Sequence, residues 1–217
     1  MILVTGFGPY HEDTNASGVL VQSLIENLPE ELFPLREHLV FEVLTCDTTS
    51  RETEHQTLET MLSGLLERYM PELCIFTGQA AALNKVTIEK IAINSFLREI
   101  ISADRPAAYW SNLPGTDTLT TALENEGIPA SYSFYGGQHL CNHILFSSLY
   151  FAEKYNLPHK SGFIHVPVLP EQVIKKHRDS PYLPIAMSRK ALSLIISHVV
   201  ASHGYDSVPQ PKIERSS

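Results

Sequence analysis

Short apolar runs alternate along this chain with longer segments in which apolar residues recur every three or four positions, and that alternation narrows the folds open to it more than any other feature. The runs Met1–Phe7, Leu39–Thr45, Leu73–Thr77, Thr87–Ile93, Ala130–Phe134 and Phe163–Val168 read as strands. Between them, Val19, Leu20, Leu24, Ile25 and Leu28 share one helical stripe, and Leu58, Met61, Leu62, Leu65 and Leu66 share another. Further helices are expected over Asp117–Glu126, stopped by Gly127, over Cys141–Tyr155, and over Ala186–Ser202, stopped by Gly204. Strands alternating with helices of this length call for an α/β fold, a largely parallel twisted sheet covered by helices on both faces. Such sheets bind ligands beyond the carboxyl ends of their strands, so the loops there are the place to look for chemistry.

The chain has 217 residues, 43% of them hydrophobic and 18% charged, enough to bury one sizeable core. One domain is expected over residues 1–205. The polar stretch 206–217 carries two prolines and no apolar period and is expected to be a disordered tail. A net charge of −8 and a pI near 5.6 argue against phosphate backbones and anionic membrane surfaces as partners. Cys46, Cys74 and Cys141 lie far apart, no CxxC pair occurs, and the apolar opening MILVTGF runs into polar YHEDTN rather than a signal-peptide cleavage site. No apolar run approaches the roughly 18 residues that span a bilayer. These features point to a soluble protein in a reducing compartment, with no disulfide.

Cys141 stands out for its surroundings. The stretch Ser133–Cys141 (SFYGGQHLC) reads as a strand end, a Gly-Gly turn and the start of an apolar helix. A thiol there meets unpaired backbone N–H groups and the positive end of the helix dipole, both of which favour thiolate. Gly136 and Gly137 allow positive φ and close approach of backbone to a ligand, so N–H groups nearby could receive an oxyanion. The ordinary place for a cysteine is the core, and that remains the alternative for Cys141 and the reading for Cys46 and Cys74.

A nucleophilic cysteine needs an imidazole to carry its proton and a third group to orient the ring. Of ten histidines, His165 sits oddly in the apolar run Gly162–Leu169, and Glu89 likewise interrupts the β-rich run Val86–Asn94. Each also has a plain structural explanation: a core histidine bonded to a carbonyl, or a carboxylate on a solvated strand face. A different chemistry competes for Cys141, because His139 and His143 flank it at the i, i+4 spacing of some zinc sites; no second cysteine or carboxylate lies close in sequence to complete one.

Four blocks resemble the pyroglutamyl peptidase I (pyrrolidone carboxyl peptidase) family of cysteine peptidases. They are LVTGFGP at 3–9, GQA at 78–80 followed by TIEKIAIN at 87–94, CNH at 141–143, and GFIHVP at 162–167 with LPEQ at 169–172. PAAYW at 106–110 and GIPA at 127–130 add weaker support. The resemblance spans residues 1 to about 175. It implies a three-layer α/β/α fold, no cofactor, a cytoplasmic location, a homo-oligomer (dimer or tetramer), and removal of an N-terminal pyroglutamyl residue from peptides. Carried over by position, the nucleophile falls on Cys141, the base on His165 and the orienting carboxylate on Glu89. A lactam pocket falls on Phe7, Tyr10, Thr45, Gln79 and Leu140.

The chain departs from the family pattern at several places near that pocket. Tyr10 stands where a phenylalanine is usual, His11-Glu12 and Ala81-Ala82-Leu83 replace Gly-Gly and Gly-Gly-Arg, and His139 takes a position that is usually aromatic. A loop rich in Asp, Asn and Gly is missing after Asn94, leaving only Ser95–Arg105. Two alternatives follow: the same Cys-His-Glu chemistry on a different N-capped or small amide, or a binding protein that keeps the fold without turnover.

Overall fold

The computed structural model describes residues 1–10, 13–45 and 54–204. The expected tail 206–217 and Cys46 lie outside the described residues. The chain order is β1 (Ile2–Phe7), α1 (Ala16–Glu26), a 3₁₀ helix (Glu30–His38), β2 (Leu39–Leu44), α2 (Glu54–Tyr69), β3 (Leu73–Gln79), β4 (Val86–Glu89), β5 (Ile91–Ile93) and β6 (Ala108–Trp110). Then come α3 (Thr116–Asn125), β7 (Ala130–Ser133), α4 (Leu140–Lys154), β8 (Lys160–Val166), α5 (Pro170–Lys175) and α6 (Ile185–His203).

Six strands form one sheet in the order β2-β1-β3-β8-β4-β7. Strands β2, β1, β3 and β8 run parallel, β4 lies antiparallel to β8, and β7 is parallel to β4, so the sheet is mixed but mostly parallel. Side chains alternate across it. Ile2, Val4, Ile75, Ile88, Ile164 and Val166 meet α1, α3 and α6 on one face, whereas Leu3, Cys74, Phe76 and Phe163 meet α2 and α4 on the other. Two apolar cores on opposite faces of one sheet make the three-layer α/β/α arrangement. The same parity sends Glu89 and His165, each one residue from an inward apolar neighbour, toward the α4 face.

The expected strand Thr87–Ile93 is in fact two. After Glu89 the backbone of Lys90 still accepts the ladder on one side, its N–H donating to the Ser133 carbonyl at 2.8 Å, but its own carbonyl receives the Ser111 N–H, also at 2.8 Å. That change of partner steers the chain out of the main sheet, and β5 pairs instead with β6 as a separate antiparallel hairpin. The 3₁₀ helix, β6 and α5 escaped the sequence reading for clear reasons. The first is charged and contains Pro34, with only Leu32 and Leu35 buried; β6 has three residues on an exposed edge; α5 has six. Helix α6, at 19 residues, is long and apolar enough by length and composition to cross a membrane, although Ser188, Arg189 and Lys190 interrupt its apolar residues. Its Leu192, Ile195, Ile196, Val199 and Val200 are buried in the core, the usual position of such a helix in a folded domain.

Strand β1 and helix α1 touch backbone to backbone, which sets the position of the loop between them. A Cβ on Gly18 would lie 2.3 Å from the Phe7 carbonyl oxygen, and one on Gly6 would lie 2.3 Å from that of Ser17. Neither oxygen can move without shifting its element. Gly18→Ala is therefore expected to destabilise the fold by about 1 to 3 kcal/mol, the usual range for overpacking; urea unfolding checks it, and an unchanged midpoint contradicts the close approach.

Candidate active site

His165 stands near the carboxyl end of β8, opposite Thr87 of the antiparallel β4, while Glu89 stands opposite Phe163 two residues away. That diagonal on a shared face puts side chains within reach across the strand pair. The His165 Nδ1 and Glu89 Oε1 are 2.7 Å apart, and the two residues are 6% and 2% exposed, so Glu89 is not on a solvated face. Glu89 Oε2 makes no hydrogen bond among the described residues. With Nδ1 committed to Glu89, the ring's other nitrogen is left for Cys141, the neighbour that contributes most to raising the His165 pKa.

Burial alone would lower the pKa of His165, but the hydrogen bond and charge of Cys141, together with those of Glu89, outweigh it and raise the ring to about 9. The imidazole thus holds a proton at neutral pH directly beside a sulfur atom.

Cys141 is the second residue of α4, with its side chain partly exposed. His139, at the N-cap, makes no side-chain cap to this helix, and the first-turn N–H groups have no partner within the helix itself. Of the two glycines before it, Gly137 adopts φ +85°, as expected of the turn, whereas Gly136 does not take positive φ and instead passes over Glu89. The sulfur itself sits over the backbone of β3: a Cβ on Gly78 would be 2.8 Å from Cys141 Sγ and 2.6 Å from Phe163 Cζ. Gly78 pairs with His165 in the parallel register, so the glycine in the GQA block makes the room in which sulfur and imidazole meet. Cys74 contrasts in every respect, being wholly buried with its thiol pushed up to about 12 by burial.

Beside Cys141 opens a cavity of about 190 Å³, below the ~300 to 1,000 Å³ of sites for drug-sized ligands and suited to a small ring. Phe7, Tyr10, Gln79 and Leu140, four of the five residues expected there, line it. Thr45 does not; it lies exposed just after β2, with its methyl group packed toward Gly8. His11 and Glu12 are outside the described residues.

Sequence reading had passed over Asn15 and given Gln172 no role. Asn15 caps α1 through its Oδ1, which accepts from the Ser17 N–H at 3.0 Å, and it also lines the cavity. Gln172 Nε2 donates to Gln79 Oε1 at 2.8 Å, and the same oxygen accepts the Ala16 N–H at 2.7 Å, so the Gln79 side chain is fixed at the cavity edge. An Asx residue ahead of an apolar helical stripe is a signal of a helix start, but nothing local ties it to a pocket. His139 and His143 do not converge on Cys141 as metal ligands. The hydroxyl of Tyr10 lies 3.3 Å from His139 Nε2, and His143 Nε2 lies 3.2 Å from Glu59 Oε1. Among the described residues no group of three or more histidine, cysteine or carboxylate side chains could hold a metal ion.

Comparison with known proteins agrees with this geometry. The family model described as pyroglutamyl peptidase matches residues 1–202. The pyrrolidone-carboxylate peptidase of Brachyspira hyodysenteriae is 33% identical over 208 residues, covering 89% of this chain and 96% of that protein. The Bacillus thuringiensis protein of the same name is 30% identical, covering 90% of each. Among solved structures, pyrrolidone carboxyl peptidase from Thermococcus litoralis superposes with a TM-score of 0.79 at 26% identity, covering 97% of this chain and 98% of that one. Pyroglutamyl peptidase I from Bacillus amyloliquefaciens gives 0.76 at 28% identity, covering 92% and 96%.

Mild iodoacetamide at neutral pH is expected to modify Cys141 while leaving Cys74 unlabelled, as read by peptide mass spectrometry. Equal resistance of the two thiols would mean that the imidazolium does not activate Cys141.

Proposed function

The chain belongs to the pyroglutamyl peptidase family and is a cysteine peptidase that hydrolyses the N-terminal pyroglutamyl amide bond of peptides, and from that premise we propose that Cys141 is its nucleophile, His165 its proton carrier and Glu89 the carboxylate that orients the imidazole. The observation that carries these roles is the buried Glu89–His165 contact at 2.7 Å, on the face of the sheet where Cys141 Sγ sits over Gly78, the residue that pairs with His165.

In the first step the Cys141 thiolate attacks the pyroglutamyl carbonyl carbon, and its oxygen becomes an oxyanion. The N–H groups in the first turn of α4, the turn that carries Cys141, are its donors in this reading, and each such donor is worth roughly a hundredfold or more in rate in comparable sites. Collapse of the intermediate expels the amine, which takes the proton of His165, and leaves a thioester on Cys141. The neutral imidazole then takes a proton from water as that water attacks the thioester. Release of 5-oxoproline restores the thiolate and the imidazolium. Glu89, bonded to Nδ1, keeps the ring in the orientation that presents its other nitrogen to the sulfur.

Phe7 and Tyr10 offer aromatic faces to the flat lactam, and the fixed amide of Gln79 offers a polar edge. The need for a free thiolate supports a reducing, cytoplasmic setting. The exposed rings of Trp110 and Phe134, 6.1 Å apart, support a homo-oligomer, since contiguous apolar surface of this kind is commonly covered.

One observation favours a second reading, the same chemistry on a related N-cap or small amide. The Tyr10–His139 contact makes one cavity wall more polar than two aromatic hydrocarbons would. In a panel of acyl-blocked fluorogenic amides, the pyroglutamyl derivative is expected to be turned over best; a higher kcat/KM for another cap would transfer the assignment to that cap.

Turnover of a pyroglutamyl fluorogenic amide tests the roles directly. Cys141→Ala should abolish it. Because His165 must hold a proton to give to the amine, kcat/KM should decline as the pH rises through about 9. Glu89 helps to raise that value, so Glu89→Gln should shift the alkaline limb toward lower pH as well as lowering the rate. An alkaline limb that stays in place in Glu89→Gln argues against His165 as the titrating group.

A further inference from the structure

Behind the cavity lies a polar cluster that takes no part in the chemistry above. Glu59 of α2 receives both arms of the Arg105 guanidinium, Nη1 to Oε1 at 2.6 Å and Nη2 to Oε2 at 3.3 Å. The same Oε1 accepts the Ser147 hydroxyl at 3.1 Å and lies 3.2 Å from His143 Nε2. His143 is fully buried, and the Glu59 and Arg105 side chains are 20% and 15% exposed. The guanidinium also lies 4.3 Å from the Tyr150 ring centroid. Burial works against the charge of Glu59, but hydrogen bonds from His143 and Arg105 outweigh it and hold the carboxyl at about 2. A forked, largely desolvated pair of this kind fixes geometry in a way that exposed ion pairs do not.

What the pair holds is the segment 94–105, which folds back across the start of α4. Asn94 accepts from the Ser102 N–H and donates to the Ser102 and Arg105 carbonyls. Asn142, next to Cys141, accepts the Ile93 N–H and donates to the carbonyls of Ile93 and Ser95. Between these anchors, Phe96 and Glu99 exchange backbone hydrogen bonds around Leu97 and Arg98, whose φ values are +50° and +73°. Non-glycine residues in that region cost about 1 kcal/mol or more each, so something must hold the turn closed. The Leu97 N–H is docked 2.8 Å from the Gln138 carbonyl, on the connection that leads to Cys141.

The outcome is a fixed position for Phe96. Its ring stacks on His139 with centroids 5.3 Å apart and planes 28° apart, and it touches His143 at 5.5 Å. His139 in turn forms the cavity wall beside Tyr10. We propose that Glu59 and Arg105 are positioning residues for substrate: with His143, their ion pair clamps the segment 95–105 so that Phe96 braces His139 as the wall of the acyl cavity, and the clamp thereby sets which ring the cavity accepts. The inference rests on reading that cavity as the acyl site. Neither residue touches the Cys-His-Glu set, so the clamp acts on substrate fit and leaves thiol activation alone.

The experiment pairs two readouts on the full chain. One is kcat and KM for a pyroglutamyl fluorogenic amide; the other is the concentration of 2-pyrrolidone that half-protects Cys141 from iodoacetamide. In Glu59→Gln both KM and the half-protecting concentration should rise about tenfold, as a displacement of ångström scale in a binding wall produces, with kcat and the unprotected alkylation rate close to wild type. Arg105→Lys, which keeps the charge but loses the fork, should shift both by less. A fall in thermal stability with KM and half-protection unchanged would overturn the proposal and leave the pair a purely structural role. Should Glu59→Gln fail to fold, Phe96→Leu strands no charge and should raise the same two quantities; no rise there overturns the proposal as well. Because half-protection needs no turnover, a wild type that is protected by 2-pyrrolidone but hydrolyses no pyroglutamyl amide would sink the substrate reading while the variants still decide the clamp.

Discussion

A carboxylate and an imidazole, both nearly sealed from water and 2.7 Å apart on one face of a β-sheet, constrain everything around them. Neither charge could remain there alone, because a buried ion without a partner loses its hydration with nothing in return. Holding the two together requires that β4 run antiparallel to β8, so that Glu89 falls diagonally across from His165 on the α4 side. It also requires a glycine at position 78, since any side chain there would occupy the space of Cys141 Sγ and the Phe163 ring. The antiparallel joint between β4 and β8, in a main sheet whose other described pairs are parallel, is thus where Glu89, His165 and Cys141 come together.

Helix α4 serves the site in two directions. Its first turn presents Cys141 and uncapped N–H groups to the cavity, while the next two residues, Asn142 and His143, reach backward to hold β5 and the Glu59–Arg105 pair. A displacement of this helix would therefore move Cys141, the first-turn N–H groups and the cavity wall at Leu140 at once. The cavity is lined from elements far apart in the chain: the end of β1 supplies Phe7 and the loop after it Tyr10, β3 supplies Gln79, and His139 and Leu140 come from the connection into α4 and its first residue. Gln172, at the start of α5, locks Gln79 from outside the cavity.

The departures from the family pattern take on physical meaning once they are seen in contact. Tyr10 and His139 are separated by 129 positions in sequence yet face one another across 3.3 Å, so a phenolic hydroxyl and an imidazole meet where two apolar rings would otherwise pack. The shortened segment after Asn94 does not leave the wall unsupported. It turns back through Leu97 and Arg98 and lays Phe96 against His139.

Much of this was legible in the sequence. Period-3.6 stripes gave α1, α2, α4 and α6 to within a few residues, and the runs of β-rich residues gave the six strands of the main sheet, because burying one face of each element imposes those spacings directly. Cys141, His165 and Glu89 were visible as polar or reactive residues in apolar settings. Sequence could not separate a buried Glu89 from a solvated one, since alternation along one strand says which residues share a face but not what covers that face. It also could not break the run Thr87–Ile93 at Lys90, where the change of hydrogen-bond partner depends on Ser111, nor place Thr45 outside the cavity. Local periodicity thus determined the elements and marked the reactive side chains. The direction of β4 beside β8, the meeting of Tyr10 with His139 and the Glu59–Arg105–His143 cluster were decided only in the tertiary structure, because each joins residues whose proximity no local pattern encodes.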